Sequence, residues 1–301
     1  MKCDLPWRPE ALLRLVVGVL TCVLLGAWAG LLWRAWSGEH LTWRVSLAAV
    51  VGMSALGWAL KMTRQPVGLE SFRRWILHFG FGFYVGLVLL SLAHQWVPDL
   101  ERRPGLPQLV LAGLSFQGAA LVLVTLFLRE HGTGWREAFG LWLRPIRALG
   151  LGVAGACVIL PVAWALQLLT MALLQRFDYP AEVQVAVQVL QTTPDWRQQL
   201  AMAVVAIGLA PPAEEALFRG LLFRTLQQVG YRRLARWGTA LLFALVHANA
   251  ASFAALVGLA LALAWLYERT GNLLAPIVAH AVFNALNFAA LQVYQRWWAG
   301  G

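Results

Sequence analysis

Charge is what this 301-residue chain has least of: 13% of its residues are Asp, Glu, Lys or Arg, against 60% in the apolar class. A soluble domain is usually about a quarter charged, so a water-facing surface cannot be assembled from this inventory. Cysteine is scarce too. Cys3, Cys22 and Cys157 make neither a metal-ligand spacing nor a disulfide framework, and the two inside apolar runs read as small packing residues. There is no internal repeat, no low-complexity tract, no HExxH pair and no loop with room for a soluble domain.

Long apolar runs take their place, at about 11–33, 45–60, 75–93, 108–128, 149–174, 199–222, 234–249, 251–268 and 273–292. Most are long enough to cross about 30 Å of hydrocarbon as helices. The second, seventh and eighth are short, which suits a tilted, re-entrant or buried helix. The expectation is an all-α, polytopic transmembrane bundle of about eight or nine helices. Lys2 and Arg8 precede the first run as they would a signal peptide, but no small-residue cleavage site follows it. It is read as a retained first helix.

Acidic residues number 14 against 24 basic ones, a formal net charge of +10. An N-inside, nine-pass reading puts 16 Lys and Arg on the cytoplasmic side, from Lys2 to Arg269, and 7 on the other. This is the positive-inside bias of a membrane protein, so the charge implies topology and no nucleic-acid partner. The N-terminus is expected in the cytoplasm, and the bilayer is the expected setting. Many of the 16 tryptophans fall near span ends, among them Trp33, Trp36, Trp43, Trp96, Trp135, Trp142, Trp297 and Trp298. That is the position of interfacial anchors.

Polar breaks near 95–107, 129–148 and 175–199 organise the chain. They suggest an N-terminal region of about four spans over 1–144, a second transmembrane region over 145–292, and a short tail at 293–301. Ionisable residues within the first spans are few, and His78 and Arg14 sit near predicted ends as interfacial side chains. The second region differs. It buries Glu214, Glu215, Arg219, His247 and His280 together with several amides, at a cost that lipid makes steep unless the groups face a cavity or one another.

Helical phase divides the acids. Glu215 and Arg219 are four residues apart and can pair on one face, whereas Glu214 is turned about 100° away and is left free for chemistry. Pro211 and Pro212 fit the first turn of a new helix, which predicts Glu214 near a helix start. His280 and Asn284 share a face, with Asn287 as a weaker candidate one turn on. Phe243 lies one turn before His247 and is expected to hold that ring. Depth agrees: Glu214 precedes Arg224 by 10 residues, and His247 and His280 follow Arg236 and Arg269 by 11 each. At about 1.5 Å per residue all three groups reach one level.

The ordered motifs "EEALFR" at 214–219, "FALVH" at 243–247 and "HAVFN" at 280–284 resemble the signature of the CAAX prenyl protease and bacteriocin-processing family of intramembrane endopeptidases, also called CPBP or Abi. The likeness covers roughly 145–292. It implies Glu214 as the glutamate that activates water, His247 as its assistant, His280 and Asn284 as oxyanion donors, and Glu215 with Arg219 as supports. No cofactor is expected. The implied substrate is a membrane-associated or lipidated protein or peptide, and the implied location a bacterial cytoplasmic membrane.

Three other readings are open to the same residues. Glu214, His247 and His280 are a possible zinc set of one carboxylate and two imidazoles. Buried Glu, His and Arg also occur in transporters, although the Pro-interrupted segment appears once and has no counterpart in the first half. A non-catalytic membrane scaffold or immunity protein would use the buried polar groups to choose partner helices.

Overall fold

A computed structural model describes residues 7, 9–37, 42–62, 69–95, 106–180, 183–192 and 195–298, and every regular element among them is a helix. In chain order these are α1 (Pro9–Ser37), α2 (Trp43–Met62), α3 (Leu69–Gln95), α4 (106–130), α5 (Trp135–Phe139) and α6 (Pro145–Arg176). They continue with α7 (Val185–Thr192), α8 (Trp196–Gln228), α9 (Leu234–Val246), α10 (Phe253–Thr270) and α11 (Leu274–Trp298). Lipid offers no partner to a free N–H or C=O, so apolar segments of this length close their backbone bonds within themselves.

Six helices, α1, α4, α6, α8, α10 and α11, are long and apolar enough to cross a membrane. Two shorter apolar stretches, Gly80–Ala93 within α3 and Leu234–Val246, join them. This supports an integral multi-pass protein. The short seventh run of the sequence is α9; the eighth, α10, is of spanning length at 18 residues.

Two compact units divide the chain, one built from Arg8–Leu123 and the other from Val124 onward together with Trp7. In the first, α1, α2 and α3 close around Trp28, which is fully buried and donates its Nε1–H to Gly86 O at 3.2 Å. Gly52 and Gly86 admit this approach, since a Cβ at either would press into Trp28 or Leu56.

The second unit is organised by small residues. Along α6 only Ala148, Gly152, Ala156 and Ala163 are buried, a stripe that lets neighbouring backbones come close. A Cβ on Gly152 would lie 2.7 Å from Ala275 O, so α6 and α11 touch backbone to backbone there. The opposite face of α6, with Val158 and Leu168, is exposed and apolar, as a lipid-facing surface must be. At the end where α10 stops, the turn at Gly271 is strapped to the α5–α6 loop. Asn272 is fully buried, donates Nδ2–H to Leu143 O at 2.7 Å and accepts from Leu274 N at 2.8 Å, while Leu273 N donates to Phe139 O.

Trp33, Trp36, Trp43 and Trp142 are exposed near helix ends, in keeping with interfacial anchoring. Trp135 is half-buried instead and donates to Thr125 Oγ1 at 3.0 Å, because an indole N–H withdrawn from water needs an acceptor. Cys157 is exposed on the outer face of α6, so it does not pack in a core as the sequence suggested. Cys3, Trp96 and the side chains of His78, Trp297 and Trp298 lie outside the described residues.

Candidate active site

The centre of α8 carries the two glutamates, and the helix does not begin at the prolines. It runs unbroken from Trp196 to Gln228, with Asp195 capping its start by accepting from Arg197 N at 2.9 Å. Pro211 and Pro212 lie in its interior directly after a wide turn with i→i+5 bonding at 204–209, and the helix continues through them. The predicted helix start beside Glu214 is therefore corrected: Glu214 is a mid-helix residue, out of reach of free N-terminal amides. A second wide turn spans 216–223.

Glu215 and Arg219 pair as their spacing predicted. Arg219 Nη1 donates to Glu215 Oε1 at 2.8 Å, with Glu215 0% and Arg219 1% exposed. The guanidinium also donates from Nη2 to Ala260 O of α10 at 3.0 Å, and lies over the Phe243 ring with its carbon 4.7 Å from the centroid. Buried, hydrogen-bonded and stacked, this ion pair ties α8 to α9 and α10.

His280 on α11 receives both acids. Its Nδ1 is 3.0 Å from Glu215 Oε1; a carboxylate bonded this way accepts, so Nδ1 carries a proton. Its Nε2 turns toward Glu214 Oε2 at 4.0 Å, within ion-pair reach but beyond a hydrogen bond. The adjacent glutamates thus straddle one imidazole. Phase alone separated them but did not place them on the same ring. Glu214 Oε2 and Glu215 Oε2 are both buried without a hydrogen-bond partner among the described residues, but Glu215 is anchored through its Oε1 and Glu214 by no hydrogen bond. A buried carboxylate oxygen left unpaired is costly.

Phe243 is the hub of the second imidazole. Its ring centroid lies 4.8 Å from that of His247 and 5.8 Å from that of His280, so both histidines flank one buried phenyl group. His247, half-buried at the end of α9, has Nδ1 2.6 Å from Phe243 O. A carbonyl only accepts, which fixes the proton on Nδ1 and leaves the lone pair of the neutral ring on Nε2. The chain then turns at Ala248, whose φ of 48° is unusual for a residue with a side chain.

Asn284 and Asn287 face other partners. Asn284 Nδ2 donates to Ala206 O of α8 at 2.8 Å. Asn287 accepts from Trp164 Nε1 at 2.8 Å and so joins α11 to α6. No three His, Cys, Asp or Glu side chains among the described residues are gathered so as to hold a metal ion.

Two features escaped the sequence reading. Asn272 carries an N-cap signal, an Asn just before the apolar run of α11, that could have been found. The other is a tie across the loop after His247: Ser252 Oγ donates to Asn249 Oδ1 and accepts from Gln184 Nε2, each at 2.8 Å. Gln184 is far away in sequence and left no signal.

Helices of spanning length around a buried acid–imidazole centre define the class as a polytopic membrane protein with a polar site inside its apolar bundle. Residues 196–286 match the model of the family described as type II CAAX prenyl endopeptidase Rce1-like, in agreement with the motif resemblance. That family is a protease family, and the matched segment holds Glu214, Glu215, Arg219, Phe243, His247, His280 and Asn284. The match supports an endopeptidase set in the membrane. No curated protein and no solved structure matches the chain.

Proposed function

We propose that this protein is an intramembrane endopeptidase that hydrolyses a peptide bond in a membrane-associated or lipidated protein or peptide, with Glu214 as general base. One observation carries the reading: Glu215 Oε1 is committed to Arg219 and His280, while Glu214, buried with its Oε2 toward His280 Nε2, makes no hydrogen bond among the described residues. One acid is structural and the other is free to move a proton.

In the proposed reaction a water molecule gives a proton to Glu214 as its oxygen attacks the peptide carbonyl carbon. His247 assists by accepting the second water proton as a hydrogen bond on the Nε2 lone pair. His280 is held by its Nδ1–H on Glu215; in its imidazolium form Nε2–H donates to the developing oxyanion, and the two carboxylates balance the charges of His280 and Arg219. The motif resemblance makes Asn284 a second donor, for which one N–H remains beyond that given to Ala206 O. When the tetrahedral carbon collapses, the C–N bond breaks and the Glu214 carboxylic acid returns its proton to the departing amine. Low dielectric strengthens each of these contacts.

The substrate backbone must be locally extended to present its carbonyl, so a membrane-proximal tail or helix end suits the site better than an intact span. The proposed setting is a bacterial cytoplasmic membrane with the N-terminus inside. Arg224, Arg236 and Arg269 would then mark the cytoplasmic level toward which the site opens.

The test compares membrane peptidomes of cells carrying the wild-type protein and Glu214→Gln at equal membrane abundance. New peptide termini should occur with the wild type alone. Identical termini from both would remove Glu214 from the reaction.

A further inference from the structure

The wide turn of α8 contains a hydrogen-bonding gap, and another helix fills it. Within 204–209 the backbone bonds i→i+5, and the Ala210 N–H is spent on Val205 O. In the same register the next amide belongs to Pro211, which has no N–H. The Ala206 carbonyl is thereby left without a donor from its own helix, at a depth where an unpaired backbone group is expensive. Asn284 Nδ2 of α11 donates to it at 2.8 Å.

Placement gives this bond a consequence. Asn284 lies one turn beyond His280 on the same face of α11, and Ala206 lies two turns before Glu214 on α8. The bond therefore fixes the rotation and height of α8 against α11 beside the point where Glu214 Oε2 faces His280 Nε2 at 4.0 Å. Displacement of a base by about 1 Å can cost on the order of a hundredfold in rate.

We infer that Asn284 is a positioning residue: its side-chain amide supplies the N–H that Pro211 lacks, and the bond to Ala206 O sets the approach of Glu214 to His280. This rests on the endopeptidase reading and adds to it. One N–H of the amide serves this bond, and the second stays available for the oxyanion role.

Pro211→Ala restores an N–H at the gap and so separates the two roles. Pro211→Ala, Asn284→Ala and the double variant are purified in detergent. Each is followed by Tm and by hydrolysis of an internally quenched peptide built on a cleavage site found with the wild-type enzyme. Asn284→Ala should lower Tm and reduce kcat by about tenfold or more with little change in KM. The double variant should regain the Tm of Pro211→Ala and only part of kcat, because the backbone bond is restored while the amide's oxyanion contact stays lost. A double variant as slow as Asn284→Ala, with Tm losses that simply add, overturns the inference. If Pro211→Ala is itself slow, the Tm cycle decides: non-additive losses support the bond and additive ones refute it. Where Asn284→Ala does not insert, Asn284→Asp, of equal size and without the N–H, replaces it. A wild-type protein that cleaves nothing would defeat the endopeptidase reading alone, since the Tm cycle still reports on the bond.

Discussion

Glu215 Oε1 accepts from Arg219 Nη1 at 2.8 Å and lies 3.0 Å from His280 Nδ1, so one fully buried oxygen joins a guanidinium and an imidazole on different helices. It sets the tautomer of His280 and, through it, the nitrogen presented to Glu214. The expected consequences of this arrangement can be measured separately.

Glu214→Gln keeps size and polarity but cannot take a proton. In a variant that inserts with unchanged Tm, kcat should fall by about 10²–10⁴-fold, the range of a lost general base. Full turnover of a defined substrate by this variant would falsify the assignment.

Arg219→Ala leaves Glu215 buried without its cation. The expected cost is about 3–5 kcal/mol, seen as a large drop in Tm or loss of inserted protein. Arg219→Lys should recover little, because the bonds to Glu215 and Ala260 O use two nitrogens of one planar fork.

Glu215→Gln retains an acceptor for His280 but removes the balancing charge. It should depress kcat far more than KM, since it weakens a donor needed only when the oxyanion forms. Equal KM and kcat effects would assign Glu215 to substrate binding instead.

Two glycines of one helix provide a packing test. Gly152→Ala should lower Tm, because its Cβ would meet Ala275 O at 2.7 Å, while Gly150→Ala, with nothing within 4 Å, should be neutral or slightly stabilising. Similar Tm values for the two would show that the α6–α11 contact is looser than described.

Chelation should leave hydrolysis unchanged under the proton-transfer mechanism. Stoichiometric zinc in active enzyme, whose removal and return control the rate, would replace that mechanism with a metal-assisted one.

The apolar runs and the scarcity of charge determined a membrane bundle, because hydrocarbon admits few other ways to satisfy a backbone. Helical phase determined the Glu215–Arg219 pair, since residues one turn apart on one helix meet whatever surrounds them. Local pattern also marked Phe243 as the support of His247, again at a spacing of one turn. Tertiary structure decided the rest. That both glutamates address one imidazole, that Asn284 turns to Ala206, and that Asn287 turns to Trp164 depend on how α8, α11 and α6 are rotated about their axes. The prolines show the limit clearly: local rules read them as a helix start, but α8 passes through them directly after a wide turn, with a donor from 78 residues away. Contacts between separate helices depend on packing over the whole unit, and no short window of sequence contains that information.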